Sequence, residues 1–204
     1  MVRIDMIAGP SEVLIVADKT ASAACVAADM LAQAEHDPLA LAILVTPHEP
    51  LVGEVLLELE RQLPLLSREK IARTSLVDRG VIFLATDMEE AIEVANGIAI
   101  EHLELMIEDP WAQIPHIRHA GAIFLGGNTP EAAGDYFAGP NHVLPTMGTA
   151  RFASALGVET FLKKSSIISY SAGALAADGE HIMRLAKLEG LSGHAGSVAV
   201  RLEK

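Results

Sequence analysis

The chain has 204 residues, half of them hydrophobic, and a formal net charge of −12 at pH 7. This length suits one domain with at most an appendage, and the acidic balance argues against nucleic-acid binding, because phosphates are neutralised by clustered Lys and Arg side chains. No run approaches the roughly 20 apolar residues of a membrane helix, the N-terminus has no secretory pattern, and a lone cysteine precludes an internal disulfide, so we expect a cytoplasmic protein without membrane contact.

Short apolar runs alternate with amphipathic stretches along most of the chain. The pattern predicts strands at Val2–Ile7, Val13–Val16, Leu41–Val45, Val81–Ala85, Leu103–Ile107 and Gly121–Leu125. It predicts helices from Thr20 or Ser22 to His36, over Leu51–Leu63, from Ser67 onward, over Met88–Ala95 where Asn96-Gly97 stops the helix, and over Trp111–His119. Strands separated by helices are typical of an α/β fold with a mostly parallel sheet flanked by helices. No glycine-rich dinucleotide fingerprint follows a strand, so the pattern indicates an α/β sheet without a visible dinucleotide-binding motif.

The alternation ends after Gly126. We predict a long loop to about Thr149, then helices at Ala153–Leu162 and Leu175–Leu188 with a short apolar stretch at Ile167–Ser169 between them. The chain is therefore expected to divide into an α/β domain over residues 1–150 and a helical C-terminal tail over residues 151–204.

Polar residues interrupt the apolar chain at four places. Gln33 and His36 are three residues apart and share a helix face, where they could bind a metal or simply end a helix whose histidine meets the helix dipole. Glu101-His102 follows an apolar run; it is either an acid–base pair or exposed charge at the start of a strand. Ligands of open parallel sheets gather at the opposite, carboxyl ends of the strands, so the position of this pair is unusual for a site.

The loop after Gly121 is the richest of these places. Asp135 and His142 lie among glycines, which allow close approach of the backbone to a ligand, and a long loop in a compact domain is often functional. Glu189 and His194 near the C-terminus either belong to a helix end and a tail or complete a site. Together, two histidines, Asp135 and Gln33 make a plausible zinc shell and leave Glu101-His102 for acid–base work. A zinc-dependent hydrolase would use a similar inventory.

Several long segments of the chain resemble those of the histidinol dehydrogenase family and occur in the same order. They are IDMIAGPSEVLIVAD, LAQAEHDP, ANGIAIEHLELMIEDP, GAIFLGGNTPEAAGDYFAGPNHVLPTMGTARF and LEGLSGHAGSVAVR. The resemblance implies oxidation of L-histidinol to L-histidine through histidinaldehyde, with two successive hydride transfers to NAD, by a zinc-bound homodimer. It would place the protein at the end of histidine biosynthesis.

The resemblance also implies roles for residues of this chain. It implies metal ligands at Gln33, His36, Asp135 and His194, which would also contact the substrate. It implies Glu101 and His102 as the catalytic acid–base pair, with His102 touching the substrate, and Ser11, His142 and Glu189 as further substrate-binding residues. Glu189 and His194 would reach the site of the neighbouring subunit.

Family chains are about twice as long as this one. The resemblance implies that this chain is the C-terminal half, and that the other half supplies most NAD contacts and further strands. The α/β sheet of this chain would then be an incomplete Rossmann-like domain. We therefore expect the 204 residues alone to be inactive. The alternatives are a non-catalytic, dimerising fragment and a metal-dependent hydrolase.

Overall fold

A computed structural model describes residues 4, 6 and 8–203. Most of the strand predicted at Val2–Ile7 lies outside the described residues. Contacts between backbone positions divide the chain into two compact units, Met1–Phe161 and Leu162–Lys204. No described helix is long and apolar enough to cross a membrane.

The first unit is built on a five-stranded sheet in the order β3-β2-β1-β4-β5, with every strand pair parallel. The strands are β1 (Glu12–Ala17), β2 (Leu41–Thr46), β3 (Val81–Leu84), β4 (His102–Met106) and β5 (Ala122–Leu125). Strands β1 and β4 are buried along their whole length, as expected for interior strands of a parallel sheet covered on both faces. The α/β prediction is confirmed.

Helices cover both faces of this sheet. They are α1 (Ala23–Ala34), α2 (Glu49–Gln62), α3 (Glu69–Arg79), α4 (Met88–Ile98), α5 (Pro110–Gln113) and α6 (Glu131–Tyr136). Met30 of α1 packs with Met106 on one face, and Ile92 of α4 packs with Leu103 on the other. Because side chains alternate along a strand, His102, Glu104 and Met106 of β4 share the face covered by α1.

Two predicted helices within this unit need corrected bounds. α4 does not stop at Asn96-Gly97 but continues to Ile98 and is ended by Ala99 in the left-handed region, with a φ of 59°. Asn96 is buried instead, where its side chain donates to the carbonyl of His116 and accepts from the backbone N–H of Arg118. The helix predicted at Trp111–His119 is shorter, because α5 gives way to a single 3₁₀ turn at Ile114–His116 that contains a proline.

The segment after Gly126 also differs from the prediction. It is not all loop, because α6 occupies Glu131–Tyr136. The helix predicted at Ala153–Leu162 is wrong, since the structure forms only a 3₁₀ turn at Val158–Phe161 there. Gly134 weakens the helical pattern of α6 without forbidding a short helix. Gly157 lowers helix propensity in the middle of the segment where the predicted helix is absent.

The second unit contains two helices that pack against each other, α7 (Ala172–Leu188) and α8 (Ser192–Leu202). Gly179 of α7 lies beneath Leu202, since a Cβ at that glycine would be only 2.7 Å from the leucine Cδ1. α7 agrees with the predicted helix. α8 was not predicted as a separate element, although the expected C-terminal tail is helical as predicted.

Candidate active site

The acid–base pair is buried at the start of β4. The exposed fraction is 6% for Glu101 and 2% for His102, so the interpretation of this pair as exposed charge is wrong. His102 is the first residue of β4 and lies beside Val13, near the start of β1. The pair therefore lies at the amino ends of the strands, and the usual expectation of a ligand at the carboxyl ends does not describe this site.

Glu101 is held in place by the segment that leads into β1. Its Oε2 accepts hydrogen bonds from the Ser11 hydroxyl at 2.7 Å and from the backbone N–H of Glu12 at 2.9 Å. Gly121 makes room for this residue, because a Cβ there would lie 2.6 Å from the Glu101 carbonyl oxygen. Burial raises the pKa of Glu101 to about 7, although both hydrogen bonds oppose the shift, so the group can exchange a proton near neutral pH.

The backbone fixes the tautomer of His102. Its Nδ1 lies 3.1 Å from the carbonyl oxygen of Glu12, and because a carbonyl only accepts, Nδ1 carries the hydrogen and Nε2 has a free lone pair in the neutral ring. Nε2 is buried without a hydrogen-bond partner and lies 3.7 Å from Oδ1 of Asp135. Burial lowers the pKa of His102, while the Glu12 carbonyl and the Asp135 charge oppose the shift, so the ring favours the neutral form that a general base needs.

Helix α6 brings two carboxylates to His102. Glu131 and Asp135 are four residues apart and share one face of the helix, and Oε2 of Glu131 lies 3.7 Å from Nδ1 of His102. Gly134 allows this approach, because a Cβ there would lie 2.6 Å from the Phe124 ring, which in turn packs 5.9 Å from the His102 ring between centroids. Burial, reinforced by the charge of Asp135, raises the pKa of Glu131 to about 9.

Further acidic side chains extend this cluster along the same face of the sheet. Oε1 of Glu104 accepts a hydrogen bond from the backbone N–H of Glu131 at 3.0 Å, and the charge of Asp29 in α1 adds to the effect of burial on the pKa of Glu104. Burial raises the pKa of Glu104 to about 8 and that of Asp29 to about 6. Several carboxyl groups thus share one buried volume with little positive charge, an arrangement that favours either protonation or a bound cation.

Sequence reasoning missed Glu12, Asp29, Glu104 and Glu131. Glu104 had a detectable signal, because it places a charge at the centre of a strand that is otherwise apolar apart from its first residue. Glu131 was hidden because α6 was taken for a loop. Glu12 acts largely through its backbone, and no side-chain pattern can show that.

The predicted metal ligands lie in several elements. Gln33 is fully buried in α1, and neither its amide oxygen nor its amide nitrogen has a hydrogen-bond partner. His36 is exposed just beyond the end of α1, and its charge is among the smaller influences that lower the pKa of His102 after burial. Among the described residues, the ligand atoms of His102, Glu131 and Asp135 lie within 4.8 Å of one another, a spacing that could hold a metal ion.

The remaining predicted residues lie around this cluster or in the second unit. Ser11 touches Glu101 directly, and His142 lines a cavity of about 180 Å³ that also includes Asp135 and Phe124. Glu189 is the C-terminal cap residue of α7, and His194 lies in the first turn of α8.

Comparison with known proteins identifies the family. The sequence profile described as "Histidinol dehydrogenase" matches residues 1–202. The chain belongs to the histidinol dehydrogenase family.

Curated histidinol dehydrogenases and a crystal structure are similar to this chain. The enzyme of Desulfotalea psychrophila is 74% identical over 203 residues, covering 100% of this chain and 47% of that protein. The histidinol dehydrogenase of Sulfurimonas denitrificans is 56% identical over the same length and coverage. The crystal structure of histidinol dehydrogenase from Elizabethkingia anophelis matches with a TM-score of 0.94 at 40% identity, covering 99% of this chain and 46% of that one.

The chain spans about half the length of the histidinol dehydrogenases it matches. Its place in their C-terminal half stays a prediction.

Proposed function

We propose that this chain forms part of a zinc-dependent, cytoplasmic histidinol dehydrogenase, which oxidises L-histidinol to L-histidine through histidinaldehyde and reduces two NAD. The observation that carries the proposal is the buried Glu101-His102 pair next to Asp135, within a chain of this family. Removal of a hydroxyl proton needs a general base, and a buried neutral imidazole with a free Nε2 beside a carboxylate can serve as that base.

The residues present fit a divalent cation. The amide oxygen of Gln33 is buried without a hydrogen-bond partner, which costs free energy unless a ligand binds it. Asp135 supplies a charged oxygen 3.7 Å from Nε2 of His102. We propose that Gln33, His36 and Asp135 hold zinc together with His194. When bound, zinc would orient the substrate through its imidazole and amino nitrogens and so reduce the entropic cost of reaction.

The residues of this chain then divide the proton chemistry. His102 accepts the hydroxyl proton at Nε2 while its Nδ1 remains bonded to the Glu12 carbonyl. Glu101, whose pKa burial raises to about 7, accepts a proton from water as the aldehyde is hydrated before its second oxidation. The Ser11 hydroxyl donates a hydrogen bond to Glu101 and so fixes the position of its carboxylate. His142 and Glu189 are proposed to contact the substrate.

NAD serves as the hydride acceptor in this proposal. The chain has no dinucleotide fingerprint, so the NAD-binding residues are proposed to lie in the half of the relatives that this chain does not span. We further propose a homodimer in which Glu189 and His194 of the helical tail enter the neighbouring subunit's site. A histidine from across the interface would complete the metal shell only in the dimer.

Turnover tests this proposal directly. NADH formation from L-histidinol should appear when the chain is joined to the other half of the Desulfotalea psychrophila relative, and should be absent from the 204-residue chain alone. Release of the carboxylic acid from an ester or amide substrate, followed by titration at constant pH, tests the hydrolase alternative. A joined protein that folds and binds zinc but forms no NADH would overturn the proposal, and turnover by the short chain would overturn its division of labour.

A further inference from the structure

We infer that Glu12 and Thr146 form a clasp that positions the acid–base pair by tying the loop after α6 to the entrance of β1. The clasp comprises the contacts of Gly9 and Glu12 with Thr146 and Met147. What the positioned pair does chemically rests on the proposed function; the clasp itself does not.

Glu12 contacts both members of the acid–base pair and the loop after α6. Its backbone N–H donates to Oε2 of Glu101 at 2.9 Å, and its carbonyl oxygen lies 3.1 Å from Nδ1 of His102. Its side-chain Oε2 accepts a hydrogen bond from the backbone N–H of Met147 at 3.2 Å. One residue therefore orients both members of the pair through its backbone and holds a distant loop through its side chain.

Thr146 supplies the second point of attachment. Its hydroxyl oxygen accepts a hydrogen bond from the backbone N–H of Gly9 at 2.7 Å, and the residue is 3% exposed. The segments touch so closely that a Cβ on Gly9 would lie 2.5 Å from Sδ of Met147. Ser11, between Gly9 and Glu12, donates to the same Glu101 oxygen, so the bonded segment is the one that supports the pair.

The loop is held in a conformation that it would not choose freely. Met147 has a φ of 55° and Gly148 a φ of 73°. A left-handed methionine costs free energy, and such residues persist where surrounding contacts determine them. Here the determining contacts are the Glu12 carboxylate, the Thr146 hydroxyl and the packing of Met147 on Gly9.

The buried Glu12 carboxylate has a structural role in this arrangement. Among the described residues no Lys or Arg forms an ion pair with it, and burial raises its pKa although the Met147 N–H and the Arg79 charge oppose the shift. Burying a carboxyl group costs free energy unless hydrogen bonds compensate for the lost hydration. Within the clasp, the Glu12 carboxylate receives this compensation from the hydrogen bond that the Met147 N–H donates.

Hydrogen exchange and histidine NMR on the 204-residue chain test the clasp without any assay of turnover. Glu12→Ala should speed exchange of the Met147 amide at least tenfold and change the ring ¹⁵N shifts of His102, which report its tautomer. Glu12→Gln retains an acceptor and should stay within about threefold in exchange, with the wild-type tautomer. Thr146→Val, which preserves shape, should speed exchange of Gly9, whereas Thr74→Val on the exposed face of α3 should change neither readout.

The outcomes separate the clasp from the proposed function. Wild-type exchange and ring shifts in both Glu12→Ala and Thr146→Val would overturn the clasp, and faster exchange with unchanged ring shifts would overturn its positioning role. If Glu12→Ala fails to fold, the near-isosteric Thr146→Val decides. In the joined, full-length protein we expect Glu12→Ala to lower kcat at least tenfold, with KM within threefold of the wild-type value. If the joined wild-type protein shows no turnover, the proposed function is wrong. The exchange and NMR results then test the clasp independently.

Discussion

His102 is a base whose orientation is set by the backbone. Because Nδ1 faces the Glu12 carbonyl, only Nε2 is available to a substrate proton. We expect His102→Asn in the full-length protein to lower kcat by about 10²- to 10⁴-fold while zinc content, measured by metal analysis, stays at the wild-type level. Loss of zinc instead would make His102 a ligand, as its closeness to Glu131 and Asp135 also allows.

The metal proposal can be tested with two histidines. His36→Ala should lower zinc content of the purified full-length protein, because its ring is one of four proposed ligands. His48→Ala is the matched control, since His48 precedes α2 and lies outside the cluster. Equal zinc content in both variants would contradict the ligand role of His36.

Glu131 makes the metal-free protein sensitive to pH. Its pKa rises from an ordinary 4.5 to about 9, chiefly through burial, so above pH 4.5 the unfolded chain releases a proton that the folded chain keeps. The stability from this group is therefore complete below pH 4.5 and is lost progressively up to about pH 9. We expect Glu131→Gln, in metal-free protein at pH 7.5, to raise the free energy of unfolding by on the order of 2 kcal/mol.

Urea unfolding at pH 5 and pH 8 measures this effect. The gain from Glu131→Gln should be larger at the higher pH. Glu60→Gln, at an exposed position of α2, should give nearly the same stability as the wild type at both pH values. A gain that shrinks as pH rises would contradict the inferred protonation of Glu131.

At the scale of elements, the seating of α6 on β5 sets the position of both α6 carboxylates. Gly134→Ala should push the helix away from Phe124, where the added methyl would meet the ring at 2.6 Å, and overpacking of this kind costs about 1 to 3 kcal/mol. Thermal unfolding measures the loss. Phe124→Leu should recover part of it in the double variant, and a simple sum of two losses would show that the helix does not rest on this ring.

Regular patterns gave most of the fold. All five strands of the sheet lie within one residue of their predicted bounds, because continuous apolar runs such as Leu41–Thr46 are distinctive. α6 and α8 were not recognised because glycines at positions 134, 193 and 196 weaken their helical pattern. Hydrophobic periodicity also wrongly predicted a helix at Ala153–Leu162, where the structure forms only a 3₁₀ turn.

The candidate site was predictable only in part. Residue types suggested Glu101, His102 and Asp135, and the structure brings these three together. The sequence did not reveal that the Glu101-His102 pair would be buried at the amino end of β4. It also did not reveal that Glu104 and Glu131 would lie beside the pair. Burial of charge depends on tertiary packing, which a single sequence does not display.

At the scale of the whole molecule, the proposed dimer predicts complementation between two inactive proteins. Full-length His102→Asn and His194→Ala should each lack turnover, because each removes a residue from every site. When the two are unfolded, mixed and refolded, a heterodimer regains one site that has both histidines, so activity should return to about one quarter of the wild-type value. NADH formation measures it.

A failure to recover activity, with heterodimers confirmed by native mass spectrometry, would place His194 in its own subunit's site or outside any site. Each variant refolded alone is the control. Recovery with the pair His102→Asn and Asp135→Ala is not expected, since those two residues lie in the same subunit.

The crowded carboxyl groups around His102 mean that ion uptake and proton release must occur together. Glu101, Glu104 and Glu131 have pKa values raised by burial to about 7, 8 and 9, so an arriving divalent ion displaces hydrogen ions from the acids nearest to it. Its apparent affinity will then strengthen with alkalinity. In titration calorimetry, the heat of loading will differ between phosphate and Tris by an amount proportional to the number of hydrogen ions discharged.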